Sequence, residues 1–554
     1  MKIWVDQQYK EFPKPVTVLE IFQQLVPEIW ESCLGAFDGG TVLELCSIVS
    51  KDAVLRPITY QNEEGRRIYE RSLRFVFLLA VNRLFPDIQV IIQHSIGSGI
   101  YVEFEQMRLQ PADLAALEQE MRYIVASDLP FHRHKWSKEK AIEYFQNTGD
   151  LDKAKLLSYR PYNHFTIYEL DGLYEYFYGA MLPSTGYTRV FGMRLHAPGF
   201  VALMPSVQNP NVPAEYVSLP KHMATHRQSN YWCKVLNCST AAELNTMISS
   251  GGMREFIRVN EALQNSSLSD IAQDIYNRNA RAIFIAGPSS SGKTTFANRL
   301  SIQLRVSGLN PIIISLDDFY IDRDILPLET DGLPDLEALS ALDVDYFQTC
   351  LGLLLNGQTA MMPRFNFHAK KREMELVPMR IEPDQPLIIE GIHGLNPALH
   401  DNFDRKLVCL VYISQLTSIN LDKHNRIRTT DARLLRRIVR DSQFRGTLPS
   451  DTLAMWDSVR RGEENWIFPY QEEADIVFNS ALHYELPVFR TIAYDLLRKV
   501  PKDDPNYIKS SRILKILNYM LPIDLSLMDE IPPLSILREF IGGNTLYLPQ
   551  DDME

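Results

Sequence analysis

Residues 287–295 read Gly-Pro-Ser-Ser-Ser-Gly-Lys-Thr-Thr, and no other stretch limits so sharply what the chain can become. The pattern is G-x-x-x-x-G-K-[ST]. The run before it, Arg-Ala-Ile-Phe-Ile-Ala, has the character of a buried strand, and Phe-Ala-Asn-Arg-Leu after it continues as a helix. Gly287, Pro288, Ser289, Ser290, Ser291 and Gly292 can curl round an anion, with backbone amides and the helix N-terminus facing it. Lys293 can neutralise β and γ phosphates, the Thr294 hydroxyl can ligate Mg²⁺, and Thr295 completes the nucleotide-binding set. Further apolar strands, NPIIISLDDFY, QPLIIEG and KLVCLVYIS, alternate with helical stretches. That alternation predicts a three-layer α/β domain with a parallel sheet.

Three segments extend the loop into a candidate site. Asp317 and Asp318 stand at the carboxyl end of the second strand, where open sheets bind ligands. Successive residues point apart on an extended chain, so one carboxylate can face the phosphates, accept a hydroxyl proton and help hold Mg²⁺. Ile-Ile-Glu390-Gly391 ends another strand, with Glu390 able to bind metal through water or orient an acceptor. In the third segment Arg433, Arg437 and Arg440 share one helical stripe, with Arg436 beside it and Asp441, Arg445 and Gly446 following. Around a triphosphate such arginines form a lid that screens developing charge.

The chain has 554 residues, 45% hydrophobic and 23% charged, which predicts several globular domains. Its net charge of −12 argues against a constitutive nucleic-acid coat. Apolar runs stop short of a membrane span, and the first residues lack a signal-like core. Six cysteines without a CxxC pair fit a reduced, cytoplasmic compartment. Residues 1–60 are strand-rich. A helix is expected from Ile68 to Arg83, a strand turn at Gly97 and Gly99, and a helix at 137–149 capped by Ser137 and stopped by Gly149. Residues 206–279 read as a linker and helical region, and 501–554 as a C-terminal extension. His222 and His226 have helical ligand spacing without a third ligand. Cys350 and Cys409 read as buried thiols.

Taken in order, GPSSSGKTT, SLDDFY, PRFNFHAKKR (363–372), IIEGI, RRIVRDSQFRG and ADIVFNS resemble the uridine kinase and phosphoribulokinase family of P-loop kinases over residues 280–500. The resemblance implies ATP and Mg²⁺, Asp317 as general base toward a ribose 5′-hydroxyl, Thr294, Asp317 and Glu390 around the metal, and Lys293, Arg437, Arg440 and Arg445 in the catalytic and lid set. It implies an acceptor pocket from Asp317, Tyr320, Glu337, Phe365, Phe367, Lys370, Glu390 and Arg437. This pocket departs from uridine kinases: Glu337 stands for a ribose-gripping aspartate, Phe365-Asn366-Phe367 for Tyr-Asp-Phe, Lys370 for a base-reading histidine, and Thr447 for an arginine. Shifted donors change which acceptor is tolerated.

Residues 1–60 resemble a TGS domain. Residues 61–205, through RIYERSLRFVFLLAVNRLFPD, GSGIYVEF, SKEKAIEYFQNTGDLDKAKLL and LPSTGYTRVFGMRL, resemble the editing-type domain of threonyl-tRNA synthetases. The family's four His and Cys editing positions correspond to Leu73, Phe77, Phe177 and Met181, so editing chemistry is expected to be absent. The whole is expected to be a multidomain α/β protein: an ATP-dependent nucleoside kinase, with a phosphorylated-sugar kinase and an ATP-gated switch that binds tRNA or the ribosome as alternatives. A nucleotide effector and self-association into a homo-oligomer are further partners the sequence allows.

Overall fold

The computed structural model describes residues 1–326, 335, 337–366, 369 and 371–546. The chain first builds a five-stranded sheet in the spatial order 8–11, 2–5, 53–58, 35–38, 41–43. Strand Lys2–Val5 pairs parallel with Ala53–Ile58, so the crossover between them carries the helix Val18–Leu25. Thr17 and Glu20 cap that helix reciprocally, and Ile21, Phe22 and Leu25 bury against Ile3, Val5 and Leu55.

Next comes α1 (Glu63–Leu84), longer at its start than the expected Ile68–Arg83. It is buried on most sides by a four-stranded antiparallel sheet in the order 192–196, 199–203, 99–104, 90–96, and it also meets the three-stranded sheet 132–137, 164–170, 173–175. The Gly97 turn has φ +53°, Ser137 accepts from the Lys140 amide, and Gly149 sits at φ +83° after the helix Lys138–Asn147. Leu73, Phe77, Phe177 and Met181 lie in one apolar core. Helices α2 (Pro220–Val235), 241–249 and α3 (Met253–Arg278) lead to the third body.

That body is a wholly parallel sheet of β1 (Ala282–Ala286), β2 (Ile312–Ser315), β3 (Leu387–Glu390), β4 (Val408–Ser414) and β5 (Ile476–Asn479), in the spatial order β2-β3-β1-β4-β5. Helix α4 (Lys293–Val306) leaves the phosphate loop, and α5 (Thr429–Phe444) carries the arginines. Helices α6 (Glu485–Arg498), α7 (Tyr507–Leu517) and the short α8 (Arg538–Ile541) close the chain. Ile531, Ile536, Leu537 and Phe540 are fully buried in the same core as β1 and α4, so the C-terminal segment is built into this body. Among the described residues no helix is long and apolar enough to cross a membrane.

A buried charge cluster joins front and rear. Asp431, in the first turn of α5, receives both guanidinium arms of Arg67 from α1, at 3.1 and 2.9 Å, and Arg512 Nε from α7 at 3.1 Å. Arg512 also reaches Glu64 at 2.6 Å, while Arg426 and Arg428 meet on Glu70. Burial alone would raise the Asp431 carboxyl, but Arg512 and Arg67 outweigh it and hold it below its ordinary 3.8.

Removing Asp431 leaves two buried guanidinium groups undercompensated, which typically costs about 3–5 kcal/mol. Asp431→Ala should lose roughly that much stability in urea titrations at pH 7. Because a depressed carboxyl stabilises the fold above its unfolded pKa and loses that contribution as pH falls through its folded pKa, the gap between wild type and variant should narrow below about pH 4. A gap under about 1 kcal/mol at pH 7 would show that the cluster contributes little.

Candidate functional site

The loop from β1 to α4 has the shape its sequence predicts. A Cβ on Gly287 would lie 2.0 Å from the Ile413 carbonyl oxygen, so the chain can pass β4 only as glycine. Ser290 has φ +61° and Gly292 φ +89°, which turns the loop into the first turn of α4. Lys293 Nζ donates to the Gly287 and Pro288 carbonyls at 3.0 and 3.4 Å, lying back across its own loop. The Ser290 and Ser291 hydroxyls are buried without a hydrogen-bond partner. Orphaned donors of this kind, a cationic amine and a helix N-terminus together suit a phosphate group. Thr294, the expected metal ligand, receives Asn298 Nδ2 on its carbonyl at 2.9 Å.

Parallel register brings the acidic strand ends to this loop. Ser315 lies opposite Glu390, and Glu390 opposite Ile285. Ser315 Oγ donates to Glu390 at 3.2 Å and accepts the Asp317 amide at 3.3 Å, locking the short turn 316–319. Asp317 is raised above its ordinary pKa by burial, with Lys293 and then Arg445 opposing. Glu390 is pushed up to about 7 by burial and by Asp317, against Lys293. Glu337 also rises to about 7 through burial, with Arg437 the main opposing charge. Glu337 packs on Gly462, where a Cβ would come within 2.3 Å of its own. Three carboxylates and Lys293 therefore share one electrostatic neighbourhood. Asp318 turns away and accepts the Phe365 amide at 3.4 Å. Phe365 stands edge-on to Tyr320, with ring centres 5.8 Å apart. Phe367 and Lys370 lie outside the described residues.

The arginines divide into two sets, which corrects the expectation of a single lid stripe. Arg433 and Arg436 are fully buried beneath the loop. Arg433 is forked onto Glu463 and donates to the Ser289 carbonyl at 3.1 Å. Arg436 pairs with Glu485 at 2.6 Å and reaches the Ser290 and Ser291 carbonyls at 3.4 and 3.5 Å. Desolvated guanidinium groups need such partners, so packing claimed them. Arg437, Arg440 and Arg445 stay at the mouth and converge on Asp441 at 3.3, 3.2 and 3.4 Å, and Arg437 also donates to Ser289 Oγ at 2.9 Å.

Three acids were not legible as loop partners. Glu463 accepts the Ser289 amide at 3.0 Å, and Glu485 holds Arg436. Glu539, from α8, accepts the Thr295 hydroxyl at 2.7 Å and its amide at 3.4 Å, while Ile536 crowds Gly292. Each is a single acid in an ordinary helical pattern; only the surplus of arginines near 433–445 hinted that buried carboxylates must exist. Glu539 sets a negative charge on donors that suit an anion. Glu539→Gln should therefore tighten ADP binding, by about tenfold or about 1.4 kcal/mol, in calorimetry at low salt. Unchanged or weaker binding would remove Glu539 as a competitor for the loop.

Residues 282–486 match the model of the Phosphoribulokinase / Uridine kinase family, a match that supports ATP-dependent phosphotransferase activity for this body. The N-terminal to middle region is distantly similar to threonine–tRNA ligases. The ligase of Carboxydothermus hydrogenoformans is 30% identical over 188 residues, 34% of this chain and 30% of the relative. That of Anaplasma marginale is 31% identical over 182 residues, 32% of this chain and 29% of the relative. The chain thus spans about 30% of the length of these curated relatives. Among solved structures, a D-glycerate 3-kinase from Cryptococcus neoformans var. grubii is 14% identical, covering 36% of this chain and 88% of its own with a TM-score of 0.27. A "possible uridine kinase" from Bacillus stearothermophilus is 20% identical, covering 36% and 89%, with a TM-score of 0.24.

Proposed function

We propose that residues 280–500 transfer the γ-phosphate of ATP to the 5′-hydroxyl of a nucleoside, with Asp317 as the proton acceptor. The observation that carries this reading is the gathering of Asp317, Glu390 and Glu337 around Lys293 at the mouth of the phosphate loop. ATP with Mg²⁺ would supply the phosphoryl group and an electrophilic phosphorus. The loop residues Gly287–Thr295 would hold its phosphates, and Thr294, Asp317 and Glu390 would face the metal. A hydroxyl is a poor nucleophile at neutral pH, and Asp317 removes its proton as attack develops. Its burial-raised pKa brings its basicity closer to the working pH. Arg437, Arg440 and Arg445, aligned by Asp441, neutralise charge on the transferred group. Tyr320 and Phe365 offer an aromatic corner for a planar base. Glu337, partly protonated at neutral pH, can both donate to and accept from ribose hydroxyls. Glu337 for aspartate leaves the preferred base open.

Residues 1–60 and 61–205 act on this reading as TGS-like and editing-like modules that bind an effector or RNA without hydrolysing it. Leu73, Phe77, Phe177 and Met181 support this, since they fill one apolar core where a hydrolytic centre would need bases and ligands.

Asp317→Asn preserves shape and removes the proton acceptor. It should retain nucleoside binding and lose roughly 10²–10⁴-fold in kcat. A panel of uridine, cytidine, adenosine, guanosine, inosine and ribulose 5-phosphate, read by product mass, tests both parts. Turnover of the phosphorylated sugar alone would replace the nucleoside assignment, and a wild-type rate in Asp317→Asn would end its role as base. The full chain should release no amino acid from mischarged threonine tRNA; enzyme-dependent deacylation above background would overturn the non-hydrolytic reading.

A further inference from the structure

Far from the phosphate loop in sequence, the C-terminus of α2 ends in a tight reversal. Asn237 adopts φ +51°, the Cys238 amide donates to the Cys233 carbonyl at 2.9 Å, and the Asn237 amide to the Lys234 carbonyl at 3.3 Å. This double bond pattern is a Schellman stop, which brings the residue after the left-handed position back over the one five places earlier. Both of those residues here are cysteines, and both are buried. Packing then delivers a third side chain, His483, from the turn before α6. One ligand atom from each of Cys233, Cys238 and His483 lies within 4.8 Å of the others.

The imidazole is oriented for this. Asn260 Nδ2 donates to the Phe256 carbonyl at 2.8 Å. Its Oδ1 receives the His483 backbone amide at 3.3 Å and His483 Nδ1 at 2.6 Å. A backbone amide can only donate, so the shared atom is the oxygen, and Nδ1 must carry a proton. That leaves Nε2 as the ring atom able to ligate, with an outer partner fixing the ring as metal-bound histidines usually have.

We propose that Cys233, Cys238 and His483 bind one zinc-like divalent cation through two thiolates and Nε2. Two sulfurs and one imidazole nitrogen are the donor set of tetrahedral zinc, with water at the fourth position. Charge supports the assignment, because two thiolates, a neutral imidazole and a dication sum to zero, which a buried site tolerates. Binding exchanges the two protons of the apo cluster for the ion and releases them to solvent, with no change of oxidation state. The ion would join the α2 turn to the turn that precedes Glu485, the partner of Arg436 beneath the phosphate loop.

The full chain, reduced and stripped with a chelator, is titrated with Co²⁺ alone. One equivalent should produce a thiolate-to-cobalt charge-transfer band and tetrahedral visible bands, bleached by added Zn²⁺. Cys238→Ser and His483→Gln should each weaken Co²⁺ binding at least tenfold while circular dichroism confirms the fold. The wild-type titration stands without the variants should one fail to fold. Absence of the charge-transfer band at excess Co²⁺ in folded, reduced wild type would overturn the site, and so would a band that persists unchanged in a folded Cys238→Ser chain.

Discussion

A guanidinium group withdrawn from water must be matched by a carboxylate, and this requirement organises the rear half of the molecule. Arg433 and Arg436 lie directly under the phosphate loop, Arg433 forked onto Glu463 and Arg436 paired with Glu485, and each also donates to loop carbonyls. The pairs link the loop, α5, the helix Pro449–Trp466 and α6 into one frame. With the Ser289, Ser290 and Ser291 carbonyls engaged by these arginines, the Ser290 and Ser291 hydroxyls are left buried without a partner. Net stabilisation from buried pairs of this kind is small, but loss of either partner is severe, so the arrangement favours one geometry over near alternatives.

The same requirement repeats at the junction with the front half. Arg67 and Arg512 converge on Asp431 at the first turn of α5, the helix that carries the mouth arginines. A front domain without bases in its apolar core therefore still has a direct hold on the arginine helix. Coupling between halves needs no long relay, since Asp431 and Arg437 lie on the same α-helix.

What could be read from the sequence was local. Gly287 and Gly292 carry their geometry in their identity, because only a residue without Cβ passes Ile413 and turns freely at φ +89°. The apolar strands and the caps at Ser137 and Gly149 are likewise decided within a few residues. The register of Ser315, Glu390 and Ile285 at one level follows from strand lengths in a parallel sheet. The unread part was tertiary. Helical spacing places Arg433, Arg436 and Arg437 close together but does not say which face turns inward, and packing sent two under the loop. Glu463, Glu485 and Glu539 have no pattern that announces a loop partner. The Cys-x₄-Cys spacing gained meaning only when the Asn237 reversal and His483 met.

The contact between Thr295 and Glu539 spans 244 residues of chain. Synthesis proceeds from the N-terminus, and closure of so long a loop comes late. The loop and α4 segments are thus made well before their acidic neighbour, and until it arrives the Thr295 donors are open to water. Glu539 can therefore reach the Thr295 donors only after all five strands of the parallel sheet have been made.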